Sequence, residues 1–385
     1  MSRPLALFTT LLLVPLLSAP ALAASSQQIE YSYGPLPVFE FHSGFWINLH
    51  HTLYQAAKQR ETKPAPDKAA PNSSQPALKT VPTPLSASEQ HSWDDAVSYY
   101  AANFAGQDLL FSTDMILLKN QLADFEDCNE LTGVKNKLCN AGLPAKLAQI
   151  LEAAAPVYRA HQWPDHDRIN RRWILRVAPL VREQGVGLSE RLADIYQTRW
   201  PKAKIRVDVT AYANTSGAYT TIEPLRVTIA STDPRNQDTA ALEVLFHEAS
   251  HGIAQPVQEA IIRECRQRGK AIPRDLWHAL IFYTTGEVIR PVMDAQRSPG
   301  ATDSLPPAAN AAPTSAAVKS TPTGIPQFDP GTSVPGGGYI PYAVREGLYQ
   351  RGWDDYLQIL TRFWQPYLDG QASYDDAIAR MVSSL

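Results

Sequence analysis

Thr239-Ala240-Ala241-Leu242-Glu243-Val244-Leu245-Phe246-His247-Glu248-Ala249-Ser250-His251 is an apolar run that ends in an H-E-x-x-H pattern. Leu242, Leu245 and Ala249, with Ile253 just beyond, recur at helical spacing, so the run reads as a helix with one buried stripe. Thr239 is its expected N-cap. Positions i and i+4 share a helix face, so His247 and His251 point the same way, with Glu248 beside them. Upstream the period changes. Ile205-Arg206-Val207-Asp208-Val209 and Leu225-Arg226-Val227-Thr228-Ile229 alternate and read as strands, and Gly217 to Thr221 between them is a candidate third. Downstream, helices are expected over Val257 to Gln267, Pro273 to Ala295, and from Tyr342 to the C-terminus, with Pro256 ending or bending the first helix.

The rest of the chain is read around this centre. Pro37 to Phe41 looks like a short strand, followed by a helix from about Ser43. Ser92 to Trp200 looks almost wholly helical, with separate pieces at Leu143 to Ala153, Asn170 to Glu183 and Leu188 to Trp200; Gly185 and Gly187 part the last two. Lys63 to Pro84 and Arg297 to Gly338 are rich in Pro, Ala and Ser without periodicity and read as loops. The expected fold class is α+β: mostly helical, with a small β-sheet preceding the H-E-x-x-H helix. The expected division is a signal segment (1–23), an N-terminal strand and helix (24–62), a Pro-rich loop (63–90), a helical region (91–200), a core around the motif (201–296), a low-complexity loop (297–338) and a C-terminal helical region (339–385).

Composition narrows the class. The 385 residues are 44% hydrophobic and 19% charged with a formal net charge of −3, and no basic patch invites nucleic acid. Arg3, the apolar stretch Leu5 to Leu17 and Ala21-Leu22-Ala23 make a secretory signal cleaved near Ala23. The mature protein is therefore expected in the periplasm or outside the cell. Ala24, not a cysteine, stands directly after the cleavage site and no later apolar run is long enough to span a bilayer, so no stable membrane anchor is expected. In an oxidising compartment Cys128 and Cys139, which flank a short polar loop, can pair, leaving Cys265 odd; the alternative is three free thiols.

Two histidines one helical turn apart with a glutamate between them are what a catalytic zinc site uses: imidazoles to hold the ion, a carboxylate to take a proton from water. With the preceding sheet and following helices, Ile205 to Arg290 resembles the zincin metallopeptidases, most nearly of gluzincin type. The resemblance implies Zn2+ as cofactor, His247 and His251 as ligands, Glu248 as general base, a peptide or protein substrate lying along an edge strand, and a third ligand from the helices that follow. The metzincin continuation is absent, since Ala254 and Val257 stand where it needs glycine and histidine. The two familiar close gluzincin spacings fall on Lys270 and Ala271.

Glu259, Glu264, His278 and Glu287 remain as third ligands. Glu259 and Glu264 lie among Arg263, Arg266 and Arg268, which reads as a solvated helix face. Glu287 lies in an apolar segment where a carboxylate needs a partner, and a cation is the strongest, so Glu287 is the favoured ligand. An ion pair with Arg290 or Arg345 is the competing reading. His278 is nine positions before Glu287, half a turn away on a regular helix, so both cannot serve one ion unless the helix bends. Its other roles are an oxyanion donor or a core histidine. Tyr283 is a second candidate donor, and Asp294 a candidate partner for a zinc-bound histidine. Asn214 and Tyr219 are candidate substrate contacts; Tyr339, Tyr342 and Arg345 are candidate cleft residues. His50 and His51 read as hydrogen-bonded core histidines. Two other functions stay open: a non-catalytic exported protein that binds zinc or a partner on a zincin-like fold, and a zinc hydrolase of a non-peptide amide or ester.

Overall fold

The computed structural model describes residues 35–61, 84–297 and 338–385. The expected signal segment, 1–23, and nearly all of the two Pro-rich stretches lie outside the described residues. Four strands form one mixed sheet: β1 (Phe39–His42), β2 (Ile205–Thr210), β3 (Ala218–Ile222) and β4 (Leu225–Ala230), in the order β1-β2-β4-β3. β1 and β4 run parallel to β2, and β3 is the antiparallel edge on β4, with Thr220 opposite Val227. Between β1 and β2 come α1 (Phe45–Glu61), α2 (Ala87–Asn103), α3 (Thr113–Asp124), α4 (Ala145–His161) and α5 (Trp163–Ile195). After β4 follow α6 (Asp238–Ser250), α7 (Gln255–Gln267) and α8 (Leu276–Arg297). Short helices close the chain: α9 (Tyr342–Arg345), α10 (Asp354–Ile359), α11 (Gln365–Leu368) and α12 (Tyr374–Ser383), with a π-helical turn at Leu360–Trp364. The class is α+β, as the change of period indicates.

Both faces of the sheet are covered, as parallel strand pairs require. Val207, Val209, Val227 and Ile229 face α5 and α6, packing in one core with Val177, Leu245 and Phe246. The alternate residues face α1 and α3, where a second core holds Trp46, Leu49, Tyr100 and Tyr219. This second face is polar yet buried. Arg206 bonds Asp208 at 2.7 Å and Glu126 at 2.8 Å, and Glu126 also bonds His42 at 2.8 Å. The Lys119 ammonium donates to Thr221 Oγ1 at 2.9 Å, and burial lowers its pKa to about 8. Burial alone would raise the Asp208 carboxyl, but Arg206 and Lys119 outweigh it and hold it low. His51 bonds the Tyr219 hydroxyl at 2.9 Å and His50 the Tyr100 hydroxyl at 3.0 Å, the core roles expected of them. A disulfide joins Cys128 to Cys139, and Cys265 is free and buried.

Several boundaries differ from the sequence reading. α5 runs unbroken through Gly185 and Gly187. Gly185 lies against the segment leading into β1, where an added Cβ would come within 3.0 Å of Val38 Cγ2, so close packing accounts for a glycine inside the helix. α6 begins at Asp238 behind Gln237, with no N-cap at Thr239. Pro256 opens α7, a position where its missing N–H costs nothing. The C-terminal region is broken into short helices, with Gly352 and Gly370 at φ of 111° and 72° between them.

Candidate metal centre

The end of α6 and the start of α8 pack together and bring three imidazoles to one place. Ligand atoms of His247, His251 and His278 all lie within 4.8 Å of one another. His247 is buried on the last turn of α6, and His251 caps that helix with helical dihedrals, φ −56° and ψ −32°. His278 projects from the first turn of α8. Ring centroids are 5.0 Å apart for His247–His251, 5.0 Å for His251–His278 and 5.4 Å for His247–His278. Phe282, one turn after His278, stacks on His247 at 3.6 Å, and Tyr342 of α9 stacks behind Phe282 at 5.9 Å. Trp277 packs edge-on against His251, and Trp353 against His278. The cluster is thus walled by aromatic rings.

Burial sets the charge state. Desolvation lowers all three imidazoles, His247 well below its usual value, His251 to about 3 and His278 to about 4; neighbouring histidines add to it at His247 and His251, while Asp275 partly offsets it at His278. Each is neutral at pH 7, the form that binds metal. His247 Nδ1 is buried without a hydrogen-bond partner among the described residues, an arrangement that costs free energy unless something else satisfies it. Ligands of a tetrahedral zinc ion lie about 3.4 Å apart, so small side-chain rotations suffice to close three nitrogens on one ion. The residues fit such an ion.

Glu248 is buried beside the cluster, and burial pushes its carboxyl up to about 7. Its contact is Thr220 on β3, whose Oγ1 lies 2.6 Å from Glu248 Oε2 and 2.8 Å from the Glu248 carbonyl oxygen. One hydroxyl proton cannot serve both acceptors. With the carboxyl ionised, Thr220 donates to Oε2. With it protonated, Oε2–H donates to Thr220, which turns its own proton to the carbonyl. Both charge states are therefore satisfied, a useful property in a group that takes up and returns a proton. The edge strand thus meets the site through Thr220.

The favoured third ligand is displaced. Glu287 lies outside the histidine cluster, and its Oε1 accepts from Arg290 at 2.5 Å. The helix is regular between 278 and 287, so the half-turn offset puts the two on different sides of α8, and an arginine one turn on supplies the cation Glu287 needs. Tyr283 likewise faces away, its hydroxyl donating to Gln365 at 2.8 Å. Asp294 accepts from the Tyr339 N–H and holds the returning chain rather than a histidine. Tyr219 turns its hydroxyl to His51 on the far face of the sheet. Asn214 caps its own turn through Ser216 N–H. Glu259 and Glu264 bond Gln255 and Arg268 along α7, as a solvated face does. Thr220, Phe282 and Trp353 carry no site signal in the sequence beyond the alternation along β3, which puts Thr220 on the α6 face with Ala218. No family model matches the chain, and neither a curated protein nor a solved structure is found similar to it.

Proposed function

We propose that this protein is an exported zinc-dependent hydrolase of zincin type, cleaving peptide bonds, with His247, His251 and His278 as ligands and Glu248 as general base. The observation that carries it is the convergence of three neutral imidazoles beside a buried carboxylate with its own proton partner. A structural site usually closes its coordination with a fourth protein ligand and has no use for a base, whereas three ligands leave a position for water. Zinc bound there would polarise a carbonyl and supply a water acidic enough to ionise near pH 7.

The chain's own residues do the rest. Glu248 accepts the proton of the attacking water at its carboxylate and hands it to the leaving amine. Thr220 holds that carboxylate in place and follows its change of charge. Trp277, Phe282 and Trp353 surround the histidines with apolar surface, which thins the water around the reacting atoms and strengthens every charge interaction there. The exposed side of this aromatic wall is where substrate enters.

The test pairs a metal measurement with one substitution. The purified chain should hold about one zinc, as a single three-ligand site implies. Glu248→Gln should keep the zinc and lose hydrolysis of a broad peptide library. A chain without zinc sinks the proposal, and a zinc-loaded variant as active as its parent removes Glu248 from the chemistry.

A further inference from the structure

The side of α8 turned away from the histidines borders a cavity of about 420 Å³. That is within the range of sites that enclose small ligands, roughly 300 to 1,000 Å³. Its walls are apolar at Phe282, Val344, Tyr349 and Leu357 and polar at Tyr283, Glu287, Arg290, Thr361 and Gln365. Phe282 belongs to both places, since its ring stacks on His247. Resting on the hydrolase reading of the histidine site, the geometry points to this cavity as the pocket that selects its substrate: it takes a long side chain ending in a cation, lysine or arginine, whose head pairs with Glu287.

Reach supports the assignment. Nine residues of helix separate His278 from Glu287, an axial distance of about 13 Å. Extended backbone advances about 3.3–3.6 Å per residue. The half-turn offset adds the width of α8, about 10 Å, so a long side chain about three residues from the scissile bond covers the span. Its methylenes would lie along Phe282, Val344 and Leu357, as long cationic side chains commonly cover apolar surface.

Charge supports the choice of head group. Glu287 Oε1 takes the Arg290 bond, and Oε2 has no hydrogen-bond partner among the described residues. Both members of the pair line the cavity, Arg290 the more exposed at 41% against 19% for Glu287, so the carboxylate is the deeper of the two. Asp369 adds a second negative charge felt at Glu287, so the two carboxylates outnumber the one guanidinium. The Tyr283 hydroxyl donates to Gln365 and lies against the Thr361 hydroxyl. An ammonium or guanidinium brings the donor that Glu287 Oε2 lacks.

The experiment uses the zinc-loaded full chain and matched peptides differing only in lysine or its uncharged isostere norleucine. Cleavage is read by mass spectrometry, and binding by calorimetry on the Glu248→Gln protein. Lysine should be preferred about tenfold or more, the scale of one hydrogen bond to a charged group. Glu287→Gln should abolish that preference and bring the lysine-to-norleucine ratio to about one. Arg290→Leu should act in the opposite direction and widen the preference, so a fold damaged by one substitution cannot mimic the result. If peptides are cleaved but neither variant moves the lysine-to-norleucine ratio, the pocket assignment falls and the hydrolase reading stands. If no peptide is cleaved yet the Glu287-dependent binding preference is present, the pocket stands and the hydrolase reading falls. Absence of both overturns both.

Discussion

Glu248 and Thr220 form the smallest working unit of the proposed site. With no ion bound, burial pushes the Glu248 carboxyl up to about 7, and the charge of a bound zinc would lower it toward the form that accepts a proton. Thr220 sits on the edge strand with its Oγ1 2.6 Å from Oε2, so a substitution there touches the base without touching a histidine. Thr220→Val should keep zinc and fold but lower kcat/KM by about ten- to a hundred-fold, the worth of one hydrogen bond to a charged group. An unchanged kcat/KM would make Thr220 a packing residue. The same scale explains what was legible. H-E-x-x-H was readable because ligand spacing on a helix is a local property. His278 was harder, since its meeting with His247 depends on how α6 and α8 pack. Glu287 misled because an apolar segment shows that a carboxylate needs a cation without showing which one; Arg290, three residues on, already supplies it.

At the scale of elements, α6 carries a second buried carboxyl. Glu243 accepts from the Tyr339 hydroxyl at 2.6 Å and from the Tyr342 N–H at 2.9 Å, fastening the chain that leads into α9. Tyr342 in turn backs Phe282, so this tether sets one wall of the histidine site. Burial raises the Glu243 carboxyl from 4.5 to about 7. Below about 4.5 both folded and unfolded chains hold the proton, and its stabilising effect is fully present. Between 4.5 and about 7 only the folded chain holds it, so this contribution declines as pH rises, by about 3 kcal/mol in total. Glu243→Gln removes the titration. Its thermal midpoint should therefore gain on the parent's between pH 5 and pH 8, and a constant gap would contradict the assignment. Elements themselves were largely readable. Alternation located β2 and β4, and the apolar stripe located α6. Gly185 was the exception: a helix breaker by propensity, it is kept inside α5 by close approach to Val38, a contact between residues far apart in sequence.

For the whole molecule, the sheet is the shared wall between two cores, and its polar face was the least legible part of the fold. Alternation identifies which residues share a face. It does not say that α1 and α3 will bury Asp208 and Lys119 there, because that covering comes from helices placed before β2 in the chain. Asp208 is fully buried and answers both Arg206 and Lys119. Asp208→Asn leaves those two cations with too little negative charge, and breaking a buried pair this way costs about 3–5 kcal/mol. Urea unfolding should record a loss of that size, read against a parent curve at the same pH. A loss below about 1 kcal/mol would mean the network is solvated in practice.

The central claim concerns one place in this fold, where α6 and α8 meet. Crystals grown with zinc and measured across the zinc absorption edge test it most directly. The account predicts a single anomalous peak between His247, His251 and His278, with Glu287 still bonded to Arg290. A peak at Glu287, or none at the three histidines, would contradict it.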